Sequence, residues 1–182
     1  MKKIPGARAI KIVSAPGILI SRRGDDMQRN LTITKLESNE FAPMPLLLLA
    51  DPSEKNILKY LNKSDVYVAL ENEVMIGVYV LQEIGPSKAE LMNIAVAESH
   101  QGKGLGKVLV QHAIEAAKNS GMHSIELGTG NSSIQQLALY QKCGFRMKEI
   151  VHDFFVINYD EPIFENGIHC RDMVRLRNDL GG

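Results

Sequence analysis

The chain has 182 residues, 45% of them hydrophobic, with 21 acidic and 21 basic side chains. That is enough chain for one domain whose core closes without disulfides or metal. The balance is uneven: residues 1–29 carry seven Lys or Arg against two Asp, a local +5, so the remainder is −5, and an acidic body argues against nucleic acid as the principal partner.

Residues 1–26 show no sustained hydrophobic period and are rich in Gly, Pro and Arg. Their apolar patch, IVSAPGILI, is interrupted by Pro16 and Gly17 and is too short to span a membrane, as is MPLLLLA at 44–50. No membrane partner is expected. Residues 1–29 read as a loosely ordered N-terminal extension, with Met27 as a second candidate start, and residues 30–180 as the folded domain. From Leu31 the pattern is regular. Leu31 and Ile33 alternate with Thr32 and Thr34, a strand signal. MPLLLLA and EKNILKYL read as helices, the second capped by Ser53. VYVAL (66–70) and VMIGVYVLQEI (74–84) are β-branched runs joined by ENE, a hairpin, and AELMNIAV (89–96) is a further strand. KVLVQHAIEAAKNSG (107–121) is a helix with Leu109, Ala113, Ala116 and Ala117 on one face and Gly121 at its end. SIELGT (124–129) is a strand, SSIQQLALYQKCG (132–144) a helix stopped by Gly144, and FRMKEIV (145–151) and CRDMVRL (170–176) are strands joined by a long aromatic connection. The order is α+β: adjacent hairpin strands with two helical crossovers.

HQGKGLGK (100–107) joins a strand to a helix. A helix N-terminus there aims unpaired N–H groups and a positive dipole end at the loop, an arrangement that suits phosphate. Glycines let the backbone approach closely and take positive φ, and Lys103 and Lys107 can add charge. A Walker A loop would need Gly where Gln101 stands and Ser or Thr where Val108 stands. A dinucleotide fingerprint would need Gly at Lys107 or at Leu109, according to its start. Both fail.

The spacing that fits is [R/Q]-x-x-G-x-[G/A], present as Gln101-Gly102-Lys103-Gly104-Leu105-Gly106. It resembles the acetyl-CoA pyrophosphate loop of the GNAT (Gcn5-related) N-acetyltransferases. ELMNIAV looks like that family's fourth strand, and GNSSIQQLALYQKCGF is similar to its N-x-x-A-x-x-x-Y-x-x-x-GF block through Asn131, Ala138, Tyr140, Gly144 and Phe145, with Asn131 set somewhat further from the Tyr than usual. FENG followed by CRDM looks like a small bacterial subgroup of undefined substrate. The resemblance covers roughly residues 31–180. It implies the GNAT fold, a mixed, mostly antiparallel sheet with flanking helices, splayed between its fourth and fifth strands to admit pantetheine. It also implies an enzyme that moves an acetyl group from acetyl-CoA to a primary amine by direct attack in a ternary complex. A CoA-binding sensor without turnover is the alternative.

That chemistry needs a deprotonated amine, donors for the carbonyl oxygen and a proton for the thiolate. Glu90, near the start of the splayed strand, is the candidate base, with Glu83 or a water as alternatives. Main-chain N–H groups around Ile94, Ala95 and Val96 are the oxyanion donors that the resemblance implies. Tyr140 is the candidate acid, because a phenol pKa near 10 is close to that of a leaving thiol; as a plain side chain it would pack on its helix. Asn131 would hold the pantetheine amide or cap a helix. Cys143 and Cys170 read as free thiols of a reducing compartment, the cytoplasm. The five histidines have no paired spacing, so no metal is expected. Acidic and aromatic residues at 153–165 could wall a substrate site. The acceptor is expected to be a small-molecule amine, and the oligomeric state stays open, a homodimer included.

Overall fold

The computed structural model describes residues 31–181, so the N-terminal extension, with Met27, lies outside the described residues. Alternating apolar positions give strands β1 (Leu31–Lys35), β2 (Asp65–Glu71), β3 (Val74–Gly85) and β4 (Lys88–Val96). Helices α1 (Met44–Ala50) and α2 (Glu54–Leu61) lie between β1 and β2. The Ser53 side chain accepts a hydrogen bond from Asn56 N, the cap read from the sequence. The β2–β3 hairpin turns at Asn72 and Glu73, both at positive φ (49° and 67°), the conformation of a tight turn matched to strand twist. Then come α3 (Leu105–Asn119), β5 (Ser124–Gly130), α4 (Ile134–Lys142) and β6 (Arg146–Val151). The last elements are α5 (Phe154–Asn158), β7 (Ile163–Glu165), β8 (Ile168–Cys170) and β9 (Met173–Asp179).

The main sheet runs β1-β2-β3-β4-β5-β9-β6, with β7 and β8 paired separately. Every pair is antiparallel except β4–β5. Two apolar cores cover opposite faces. Val66, Val68, Val78 and Val80 pack with Leu47, Ile57 and Tyr60 of α1 and α2. Tyr79, Leu81, Leu91, Ile125 and Leu176 pack with Leu109, Ala113 and Ala117 of α3 and with Tyr140 of α4.

Three differences from the sequence reading bear on the site. Helix α3 starts at Leu105, two residues early, because Gly104 takes the cap position at φ 84°. CRDMVRL is two strands, since the Asn131 carboxamide draws off the N–H groups of Arg171 (2.9 Å) and Asp172 (3.0 Å) between them. The long connection holds α5 and the β7–β8 hairpin, elements too short to show a period.

Candidate active site

Strands β4 and β5 pair only from Lys88–Ser124 to Leu91–Leu127; the remaining residues of β4, 92–96, have no β5 partner. The β3–β4 register slips at the same place, where Val80 faces Asn93 but Leu81 faces Leu91. A bulge at Met92 therefore rotates the strand. Before it, Ala89 and Leu91 face the α3 core; after it, Ala95 faces the α1–α2 core, while Ile94 and Val96 pack toward α3. Ala97 N donates to Ile76 O (2.9 Å) on the β3 side. The Val96 carbonyl, on the other side, accepts from Gln101 Nε2 (3.0 Å). By strand alternation, the main-chain N–H groups of Val96 and Ile94 face the fork.

The glycine loop closes the top of this fork. Gly102 and Gly104 take φ 72° and 84°, and a Cβ at Gly102 would meet nothing within 4 Å. No side chain caps α3, so its first N–H groups are open to an anion. Residues 101–104 are exposed, while Leu105 packs into the core. Lys103 turns back to Ser99 O (2.7 Å), leaving less of its charge for a loop ligand than the sequence suggests. Lys107 stands close enough to Cys143 to favour the thiolate, although burial is the larger influence and pushes that thiol up.

Tyr140 is buried on the α3 side, edge-on to Phe145 with ring centroids 6.1 Å apart. Burial, with a smaller contribution from Cys143, pushes its phenol up to about 12, so it carries its proton at neutral pH. Asn131 Nδ2 donates to His169 O (3.1 Å), and its oxygen holds the Arg171 and Asp172 N–H groups, so this amide anchors the β8–β9 junction.

Glu90 and Glu83 fall on opposite faces. Glu83 is exposed and registers with Ala89, on the α3 side. Glu90 registers with Gln82 and Glu126, on the α1–α2 side just below the fork. Its carboxylate is paired with the Arg175 guanidinium, which also reaches Glu126 at 3.3 Å. Glu126 is nearly buried, its side chain 4% exposed, and meets Lys148 (3.2 Å), Arg177 (3.7 Å) and Lys88 (4.0 Å) as well. Burial alone would raise its pKa, but Lys148 and Arg175 outweigh it and hold the carboxyl below its ordinary value.

Sequence reasoning passed over Glu126, Arg175 and Asn93. The signal was present: a single acid in SIELGT, alternate arginines in RLR and a single amide in LMNIAV. The aromatic connection is anchored at two distant points of the fold. Tyr159 Oη donates to Asp51 Oδ1 (3.1 Å) at the α1–α2 junction, and Glu165 accepts from Ser133 Oγ (2.5 Å) at the β5–α4 turn. Among the described residues, no helix is long and apolar enough to cross a membrane, and no three His, Cys, Asp or Glu side chains converge as metal ligands.

The sequence profile of the acetyltransferase (GNAT) family matches residues 32–145. An uncharacterized N-acetyltransferase of Bacillus subtilis (strain 168), YvbK, is 59% identical over 135 residues, 74% of this chain and 87% of that protein. A crystal structure of a Bacillus subtilis acetyltransferase in complex with CoA superposes with a TM-score of 0.78 at 55% identity, covering 82% of this chain and 98% of the other. A GNAT acetyltransferase from Elizabethkingia anophelis with acetyl-CoA bound gives a TM-score of 0.80 at 46% identity over 82% and 98% of the two chains. A mixed sheet forked at its one parallel pair, a glycine loop opening α3 at the fork, and a profile match across both make this chain an enzyme of the GNAT acetyltransferase family.

Proposed function

We propose that the protein transfers the acetyl group of acetyl-CoA to a primary amine of a small molecule or peptide, by direct attack within a ternary complex, in the cytoplasm. The observation that carries this reading is the β4–β5 fork, with the uncapped N-terminus of α3 at its mouth and the Tyr140 core on one side. The two CoA-containing relatives support the choice of donor.

The α3 N–H groups and the loop from Gln101 to Lys107 would hold the pyrophosphate, with the glycines permitting main-chain approach. The N–H groups of Ile94 and Val96 suit the pantetheine arm and the thioester oxygen, on which charge builds during attack. Asn131, engaged with the β8–β9 junction, would act on pantetheine mainly by shaping the wall of the slot. The amine's lone pair forms a C–N bond at the carbonyl carbon, the C–S bond breaks, and the thiolate takes a proton from Tyr140. Glu90 would receive the amine's proton, directly or through water. Its pairing with Arg175 has to loosen or be bridged for that step.

The test is thiol release from acetyl-CoA across a broad panel of amines, with mass spectrometry of the products. Amine-dependent release with a mass gain of one acetyl group is expected. Tight acetyl-CoA binding without release for any amine would favour a sensor instead.

A further inference from the structure

We propose that Asn93 is a binding residue for the acceptor amine, its side-chain oxygen taking one N–H of the attacking nitrogen. The inference rests on the transferase reading above and names a part of that same site. Asn93 is 4% exposed. Its Nδ2 donates to Leu47 O of α1 (3.1 Å) and lies 3.1 Å from Tyr60 Oη of α2. Its Oδ1 is buried and has no hydrogen-bond partner among the described residues.

The orientation of the carboxamide is fixed by chemistry. The Leu47 carbonyl can only accept, so the group beside it has to be Nδ2; a flip would set two oxygens against each other. Oδ1 is therefore turned away from the Leu47 carbonyl. A buried acceptor left unpaired costs about 1–3 kcal/mol, and the remedy is a donor from a ligand. An amine offers N–H groups; a thioester offers none.

The position in the fold agrees. Asn93 is the second residue past the end of β4–β5 pairing and the first after the Met92 bulge. It lies on the α1–α2 side, whereas Tyr140 lies on the α3 side. A thioester held in the fork by Ile94 and Val96 N–H groups would send its thiolate toward Tyr140 and leave the α1–α2 side for the incoming amine. A neutral amine needs its lone pair at the carbonyl carbon and its N–H groups elsewhere. One N–H on Oδ1 sets that orientation. As the C–N bond forms, nitrogen becomes positive, and the hydrogen bond to Oδ1 becomes charge-assisted and stronger. Such an interaction acts more on the transition state than on the bound amine.

The experiment uses the full chain, with one amine that the wild type acetylates. Asn93→Ala is expected to lower kcat/KM for the amine about ten- to a hundredfold, mostly in kcat. Acetyl-CoA affinity by calorimetry should stay within about twofold, because the hydrogen bonds of the amide run to Leu47 O and Tyr60 Oη and not to the glycine loop or the Ile94 and Val96 N–H groups. Unchanged kcat/KM overturns the proposal, and so does a fall in acetyl-CoA affinity, which would assign Oδ1 to pantetheine. Wild type that releases no thiol with any amine sinks the transferase reading itself. If Asn93→Ala does not fold, the wild-type Asn93 carboxamide is followed by NMR. It should shift when the amine is added to the CoA complex; a shift on CoA alone overturns the assignment.

Discussion

Gly104→Val separates the conformational duty of the loop from its binding duty. Gly104 sits at φ 84° and ψ 0°, left-handed backbone that a β-branched residue resists. Strain of about 1–2 kcal/mol is expected. A domain of this size shifts by about 2–4 °C per kcal/mol, so the melting temperature should fall by about 2–8 °C. Binding is a separate matter. A valine at the α3 cap would hold phosphate oxygens off the open N–H groups of the first turn, and losing even one charge-assisted bond lowers acetyl-CoA affinity at least about tenfold, roughly 1.4 kcal/mol. Gly106→Ala is the control. Its φ is not positive, and a Cβ there meets Leu139 Cδ2 at 3.5 Å, ordinary contact. Helix propensity should then raise stability by up to about 1 kcal/mol, and because the loop pattern accepts Gly or Ala at this one position, acetyl-CoA affinity should change much less than in Gly104→Val. The assays are thermal melting without ligand and calorimetry with acetyl-CoA. A Gly104→Val protein that melts lower yet binds acetyl-CoA as wild type does would show that the glycine serves only the turn.

Tyr140→Phe keeps the ring against Phe145 and removes the proton donor, so kcat should fall about 10²–10⁴-fold with acetyl-CoA affinity retained; equal kcat, with chemistry rate-limiting, would leave Tyr140 a packing residue. The Glu126 carboxyl titrates below its ordinary value of 4.5 in the folded protein, so its stabilisation is present above that value and is lost as pH falls further. Glu126→Gln should therefore melt below wild type at pH 7, with the gap narrowing in melts below about pH 4.5; a gap independent of pH would point to packing alone. A chain starting at Met27 should melt within about 2 °C of the full chain, within the range of a change too small to count as 1 kcal/mol; a larger loss would show that residues 1–26 pack on the domain.

What was legible in the sequence is local. Alternation in LTIT and VYVAL, the Ser53 cap and the ENE turn each act within a few residues, so the strands, α2 and the hairpin were readable. The glycine loop was readable for the same reason: its conformational demand is made and met at adjacent positions. The Arg175 contacts were not, because its partners lie 85 and 49 residues away and only the β4-β5-β9 order brings them together. The structural contacts of Asn131 were not legible either, because its oxygen and one N–H of its Nδ2 are engaged by residues 38 to 41 positions downstream, a pairing that spacing along the chain does not encode. The elements between 154 and 170 escaped because each is three to five residues long and is held by distant side chains such as Asp51 and Ser133.

The fork raises a physical problem that the charge network answers. Parting two neighbouring strands leaves main-chain groups without a ladder, and a sheet tends to zip such a gap closed. Here the bulge at Met92 turns β4 away from β5 and removes the register that zipping would need. Just below, Arg175 reaches from β9 to both Glu90 of β4 and Glu126 of β5, so the rung before the last paired one is tied on the α1–α2 side by a guanidinium that contacts both strands. Four cations around one nearly buried carboxylate make that tie strong in one respect: removing the Glu126 charge would leave mutually repelling groups in its place. Glu90 thus belongs to the hinge of the fork as well as to the list of candidate bases. A Glu90→Gln variant would test both roles at once, since loss of a base alone should change the pH profile of kcat without changing acetyl-CoA affinity, whereas a loosened fork should weaken that affinity too.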